Sequence, residues 1–184
     1  MKSINVQGKE FEPYITSKEI HSRLKTMAGL LNHDYKDLDP IFLPVLNGAF
    51  IFTADLVRYL DVQPMLQFVR LSTYGDEMKS SKTVQSSFGL NQLKLKGRHV
   101  LILEDIIDTG FTSRFLMEYV NRQQPASVRI ATLLFKPDAF EGDRAPDYVG
   151  FHISNEFVVG YGLDYAQYGR ELPGIYRLRS MATK

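Results

Sequence analysis

The stretch Val100-Leu101-Ile102-Leu103-Glu104-Asp105-Ile106-Ile107-Asp108-Thr109-Gly110-Phe111-Thr112 decides the fold. It begins as a continuous apolar run of strand length, Val100 to Leu103, the pattern of a parallel strand buried on both faces. Three carboxylates follow, Glu104, Asp105 and Asp108. Thr109-Gly110-Phe111-Thr112 then opens a helix whose apolar face is Phe111, Phe115, Leu116 and Val120. A buried strand feeding a helix N-terminus builds an anion site, because backbone N–H groups and the helix dipole face the ligand. Acids beside an anion site conflict with that charge, unless the ligand also offers hydroxyls to the carboxylates and a divalent cation bridges the two. A phosphorylated sugar bound with Mg2+ meets both conditions.

Outward from this unit, strand-like runs alternate with helical periodicity, with no internal repeat, low-complexity tract or Pro/Gly-rich linker. That predicts an α/β fold with a mostly parallel sheet. Thr16-Ser17 caps a helix in which Ile20, Leu24, Met27, Ala28 and Leu31 recur at helical spacing. Ile41 to Leu46 reads as the first buried strand, and Pro44, which cannot donate to a ladder, predicts that it is short or bulged there. Asn47-Gly48 turns into a helix over about residues 49–60. Met65 to Arg70 is a second strand, Val100 to Leu103 a third and Val128 to Phe135 a fourth. Tyr148 to Ile153 and Phe157 to Val159 add short strands. Ser72 to Thr83 is polar and without a usable period, a loop of the length that often covers an active site.

The chain has 184 residues, 44% apolar and 23% charged, which predicts a globular domain with room for a real core. A net charge of +1 gives no footprint for nucleic acid. The absence of Cys excludes disulfides and thiolate metal sites. His21, His33, His99 and His152 show no metalloprotease spacing, and neither a Walker A loop nor a nucleophile elbow occurs. Gly160-Tyr161-Gly162 is not a dinucleotide fingerprint, since Tyr165 stands where the third glycine is needed. No signal-peptide core opens the chain, and no apolar run approaches the roughly 20 residues that span a bilayer. The expectation is a cytoplasmic protein without membrane or nucleic-acid partners.

Val100 to Thr112 resembles the signature of the type I phosphoribosyltransferases, and Glu104-Asp105-Ile106-Ile107-Asp108-Thr109-Gly110-Phe111-Thr112 is similar to its hypoxanthine/guanine branch. The resemblance covers about residues 41 to 172. It implies a central, mostly parallel sheet flanked by helices, with a small hood built from the terminal regions. In one domain, the core would span about 36–140, and the hood about 1–16 and 141–184. It further implies a purine-salvage enzyme, a homodimer or homotetramer, that uses Mg2+. The reaction would move the phosphoribosyl group of 5-phosphoribosyl-1-pyrophosphate onto hypoxanthine or guanine, giving IMP or GMP and pyrophosphate. A ligand-sensing regulator on the same fold is the alternative; an added binding domain or excess positive charge would favour it, and the chain has neither.

The resemblance also assigns residues. Asp108, Thr109, Gly110, Phe111 and Thr112 would cradle the 5′-phosphate, and Glu104 and Asp105 would face the ribose hydroxyls near the metal. Asp108 would be the general base toward the purine's seven-position nitrogen, a role open to a partly desolvated carboxylate; read without the resemblance, Asp108 is equally a helix N-cap. Leu46, Asn47 and Gly48 match the loop that presents backbone groups to pyrophosphate through a cis peptide, with Asn47 where several relatives carry Lys. Thr73 and Tyr74 match a Ser-Tyr pair that closes over the diphosphate. Lys136, directly after a strand, would donate to the six-position oxygen of the purine. In Phe157-Val158-Val159-Gly160-Tyr161-Gly162-Leu163-Asp164-Tyr165, Phe157 would stack on the base, Val158 read its edge and Asp164 ligate Mg2+. Arg170 would bind pyrophosphate, where a guanidinium fork fits.

Overall fold

The structure, a computed structural model, describes residues 1–74, 83–90 and 93–179. In chain order the strands and helices are β1 (Ile4–Val6), β2 (Lys9–Ile15), α1 (Ser17–Asp34), β3 (Pro40–Leu46), α2 (Phe50–Val57), β4 (Met65–Leu66), β5 (Val69–Tyr74), β6 (Thr83–Phe88), β7 (His99–Ile107), α3 (Phe111–Asn121), β8 (Ser127–Phe135), β9 (Tyr148–His152), β10 (Val158–Val159) and β11 (Ile175–Leu178).

The main sheet has the order β6-β5-β3-β7-β8-β9, with β4 also pairing with β3. All its pairings are parallel except β5 with β6. Period-2 alternation sends its side chains to two separate cores. Ile41, Leu43, Val45, Val100 and Ile102 meet Leu116 and Val120 of α3. Phe42, Leu101 and Leu103 meet Ile20, Leu24, Met27, Ala28 and Leu31 of α1 and Phe52 and Leu56 of α2. Burial on both faces is why β3 and β7 read as unbroken apolar runs. The α1 start is a full capping box: Thr16 Oγ1 accepts from the Glu19 N–H at 3.3 Å, and Glu19 Oε2 accepts from the Thr16 N–H at 2.8 Å.

A second, antiparallel sheet of order β1-β2-β11-β10 joins the two ends of the chain. Its hairpin turn places Gln7 at φ 48° and Gly8 at φ 79°, the left-handed pair that a two-residue turn needs. Val6, Phe11, Val159 and Tyr176 form its core. The first 15 residues thus carry two strands; Phe11 and Ile15 are buried among more exposed residues along β2.

Several boundaries differ from those expected. β3 is a continuous seven-residue strand, neither short nor bulged, in unbroken register with β7 from Pro40 to Pro44. The Phe42 carbonyl faces β4, accepting from the Gln67 N–H at 3.0 Å. Alternation turns Pro44 to the same side, where β4 has ended and pairing with β5 starts only at Val45 opposite Val69, so no donor is missed. The expected strand Met65 to Arg70 is accordingly two strands, broken at Gln67-Phe68. β7 runs to Ile107, so Glu104 and Asp105 lie within the strand instead of beyond it. The expected loop Ser72 to Thr83 has strand at both ends, since β5 and β6 form an antiparallel hairpin. Residues 75–82 of that loop lie outside the described residues. Among the described residues no helix is long and apolar enough to cross a membrane.

Candidate functional site

From β3 the chain passes through α2 to β4 and β5 on one side, and from β7 through α3 to β8 and β9 on the other. The direction of winding reverses between β3 and β7. The crevice outside the carboxyl ends of the strands at such a reversal is where open α/β sheets hold ligands. Leu46 to Gly48, Glu104 to Thr112 and Lys136 all follow or end these strands.

A cavity of about 210 Å³ is lined by Glu104 to Ser113. Its far wall is the N-terminus of α3, whose N-cap is Gly110 at φ 81°, with no side-chain cap and no acid in the first turn. Asp108 is therefore not the N-cap. The first N–H groups of any helix lack intrahelical partners, so this end is open to an anion. Gly110 is required twice over: its φ is left-handed, and a Cβ there would lie 2.4 Å from the Phe140 ring. Phe140 and the bond from the Glu141 N–H to the Thr109 carbonyl at 3.1 Å brace the loop from behind.

Deeper in the crevice sit the acids. Glu104 is 5% exposed, and its Oε1 is buried without a partner among the described residues. Burial, then the neighbouring Asp105, push its carboxyl well above the usual range. Asp105 is pushed up to about 6, chiefly by burial, with backbone N–H groups and Arg170 pulling the other way. Gly48 lies directly on it: a Cβ on Gly48 would fall 1.6 Å from Asp105 Oδ2. Gly162, at φ 102°, presses on Gly48 in turn, since its Cβ would fall 2.1 Å from the Gly48 carbonyl oxygen. The Leu46–Asn47 peptide is cis.

Asp164 joins this group from the segment after β10. Its Oδ1 pairs with Arg170 at 2.8 Å, and its Oδ2 accepts from the Gln167 N–H at 2.7 Å. Arg170 also donates to the Gly162 carbonyl at 2.8 Å. The donor set fits Mg2+, a hard cation bound through carboxylate oxygens. The unpartnered, buried Glu104 oxygen is the sign of an acceptor built for something other than the protein. Among the described residues no three His, Asp or Glu side chains converge into a metal cage. Substrate oxygens and waters would complete the shell.

On the other flank, Lys136 Nζ lies 2.9 Å from Asp108 Oδ2. Lys136 is 7% exposed although it is a lysine, and its backbone N–H is fixed on the Ile107 carbonyl at 3.0 Å. The Asp108 side chain is 47% exposed, partly open where Glu104 is closed off. Phe157 is likewise 47% exposed, an open aromatic face held edge-on to Tyr165 at 5.7 Å and tilted on Phe11 at 6.3 Å. Val158 is buried in β10, opposite Arg177 of β11. Thr73 and Tyr74 end β5, in register with Val84 and Thr83; their side chains lie outside the described residues.

Four side chains that shape the crevice were not foreseen from sequence. Phe140 packs against the Gly110 loop, Tyr165 and Phe11 hold Phe157, and Tyr161 reaches from the Gly160–Gly162 turn to Asp55 of α2. Only Gly160-Tyr161-Gly162 carried a local signal, a pair of glycines that announce positive φ.

The chain matches the model of the phosphoribosyl transferase domain over residues 16–166. It is 40% identical over 161 residues to the hypoxanthine-guanine phosphoribosyltransferase of Bacillus subtilis, covering 88% of this chain and 89% of that one. A hypoxanthine phosphoribosyltransferase from Staphylococcus aureus superposes with a TM-score of 0.86 at 34% identity, covering 91% of each chain. One from Trypanosoma cruzi, solved in complex with the product IMP, superposes with a TM-score of 0.85 at 35% identity, covering 96% of this chain and 97% of that one.

Proposed function

The chain belongs to the phosphoribosyltransferase family, and from that premise we propose how its residues divide the reaction. It is a transferase of purine salvage. It moves the 5-phosphoribosyl group of 5-phosphoribosyl-1-pyrophosphate onto hypoxanthine or guanine, releasing pyrophosphate.

The bond from the anomeric carbon to pyrophosphate breaks, the bond from the purine's nine-position nitrogen to that carbon forms, and the seven-position proton leaves the base. The α3 N-terminus with Thr109 to Thr112 holds the 5′-phosphate. Glu104 and Asp105 accept hydrogen bonds from the ribose hydroxyls, which places the anomeric carbon over the crevice. Backbone groups of Leu46 to Gly48 and the Arg170 guanidinium receive the leaving diphosphate. Asn47 brings no charge to it, so the cationic share falls on Arg170 and on a metal. Glu104, Asp105 and Asp164 would hold Mg2+, which when bound offsets the charge growing on the diphosphate. Thr73 and Tyr74 close over it and keep water from the reacting carbon. Phe157 stacks on the purine, Val158 reads its edge and Lys136 donates to its six-position oxygen.

One observation carries this reading: Lys136 and Asp108 meet at 2.9 Å. The six-position oxygen and seven-position nitrogen lie side by side on one edge of a 6-oxopurine. A donor and a carboxylate held side by side match that edge, with Lys136 on the oxygen and Asp108 taking the proton. Asp108→Asn keeps the shape and removes the base. Its kcat should fall by about 10²–10⁴ with the KM for 5-phosphoribosyl-1-pyrophosphate little changed. Steady-state rates with hypoxanthine and guanine test this, and near-full turnover would remove Asp108 from the role.

The assembly we propose is a homodimer or homotetramer. Phe50, Met65, Leu66 and Phe68 stay 37–46% exposed at the start of α2 and around β4, apolar surface that a second copy would cover. The cytoplasm is the compartment proposed, as a chain without cysteine needs no oxidising environment.

A further inference from the structure

The acid-lined crevice is assembled from three separate parts of the chain. Residues 46–48 close and follow β3, Glu104 and Asp105 lie in the last half of β7, and residues 160–170 follow β10. The Gly48 and Gly162 contacts leave no room for a methyl group between them. The segment carrying Asp164 and Arg170 must therefore be pressed onto the 46–48 loop.

Tyr161 supplies a tie across that seam. It sits between Gly160 and Gly162 at φ 51°, a conformation disfavoured for a bulky side chain, and is only 2% exposed. Its hydroxyl donates to Asp55 Oδ2 at 2.7 Å. Asp55 belongs to α2, the helix that begins two residues after Gly48. The carboxylate is itself held, with Arg58 at the C-cap of α2 at 3.7 Å and His21 of α1 at 4.0 Å. Burial and the bond to Asp55 push the Tyr161 phenol above its ordinary range, so it stays a donor. The purine end of the same segment has its own anchor: Phe157 accepts from the Leu178 N–H at 2.8 Å, and Val158 pairs with β11.

We propose that Tyr161 and Asp55 are positioning residues for the sugar-diphosphate end of the site. Their hydrogen bond seats Asp164 and Arg170 against the 46–48 loop, without touching substrate. This rests on the reading of the crevice as the 5-phosphoribosyl-1-pyrophosphate site.

Tyr161→Phe removes only the hydroxyl and leaves Asp55 with Arg58 and His21. It should raise KM for 5-phosphoribosyl-1-pyrophosphate about 10-fold while KM for hypoxanthine stays within about twofold. Asp55→Ala should do the same, and the double variant should be no worse than either alone. Asp55→Asn keeps a carbonyl acceptor and should restore the lower KM. If Tyr161→Phe is too poorly folded to assay, the contrast between Asp55→Ala and Asp55→Asn decides the matter. An unchanged KM for the sugar diphosphate, or an equal rise in both KM values, overturns the positioning role. If the wild-type chain shows no saturable dependence on 5-phosphoribosyl-1-pyrophosphate, the functional reading itself falls and this inference with it.

Discussion

At the amino ends of β8 and β9, Asp34 accepts from Arg129 and from the Tyr148 hydroxyl, both at 2.6 Å, and from His33 at 3.0 Å. At the carboxyl end of the same sheet, Glu104 keeps a buried oxygen with no partner, beside a second carboxylate. The Tyr148 hydrogen bond, with help from His33 and Arg129, lowers Asp34 to about 2, whereas burial raises Asp105 to about 6. Two carboxylates of one type thus sit on opposite sides of the ordinary value, according to whether the protein supplies their donors. Asp34 closes α1, where the helix dipole disfavours an anion, and Arg129 corrects that. Among the described residues no donor does the same for Glu104. In the function proposed, its partners come with the substrate, and the crevice is less stable than it could be without it.

The contrast can be broken most strongly at Glu104. Glu104→Gln keeps nearly the same shape and replaces the buried, unpartnered carboxyl by an amide. It should cut kcat/KM by about 100-fold, while unfolding free energy rises by about 1 kcal/mol. Parallel assays and thermal melts read both, and a variant that loses stability along with activity would make Glu104 a structural residue. Asp34→Asn is the opposite experiment. It should lower stability by about 2 kcal/mol through its lost partnership with Arg129 and Tyr148, with kcat unchanged. A fall in kcat at constant substrate binding would mean that the two ends of the sheet are coupled.

The smallest effect is in pH. Asp34 has a folded pKa below its unfolded one, so its contribution is full above about pH 4 and is lost as pH falls toward about 2. Screening at this partly solvated position reduces that contribution to about 1 kcal/mol. Denaturant titrations across that window should show the loss in the wild-type chain and its absence in Asp34→Asn. Equal slopes for the two proteins would remove Asp34 from the acid response.

Much of the main sheet was legible in the chain because parallel strands buried on both faces must be apolar throughout. Ile41–Leu46, Val100–Leu103 and Val128–Phe135 leave few other readings. The paired strands β5 and β6 were less legible, since Ser72-Thr73-Tyr74 and Thr83 are polar enough for a loop and register only against each other. Pro44 misled, because its cost depends on which neighbour its nitrogen faces, and that is a property of the sheet. In the site, the residues from Glu104 to Thr112 are contiguous, so a local motif could announce them. The contacts of Asp105 with Gly48, Gly48 with Gly162, and Tyr161 with Asp55 join residues 57 to 114 positions apart, and no window of sequence contains them.

By itself, then, the chain determined an α/β class, a strand-to-helix junction that suits an anion and an excess of carboxylates beside it. These follow from composition and short-range spacing, which covalent geometry and periodicity convert directly into local structure. The tertiary structure decided which acids are buried and which are paired, that Lys136 meets Asp108, and how the two ends of the chain join in one sheet beside Phe157. Burial and charge pairing depend on distances through space between elements remote in sequence, and only the packed fold sets those distances.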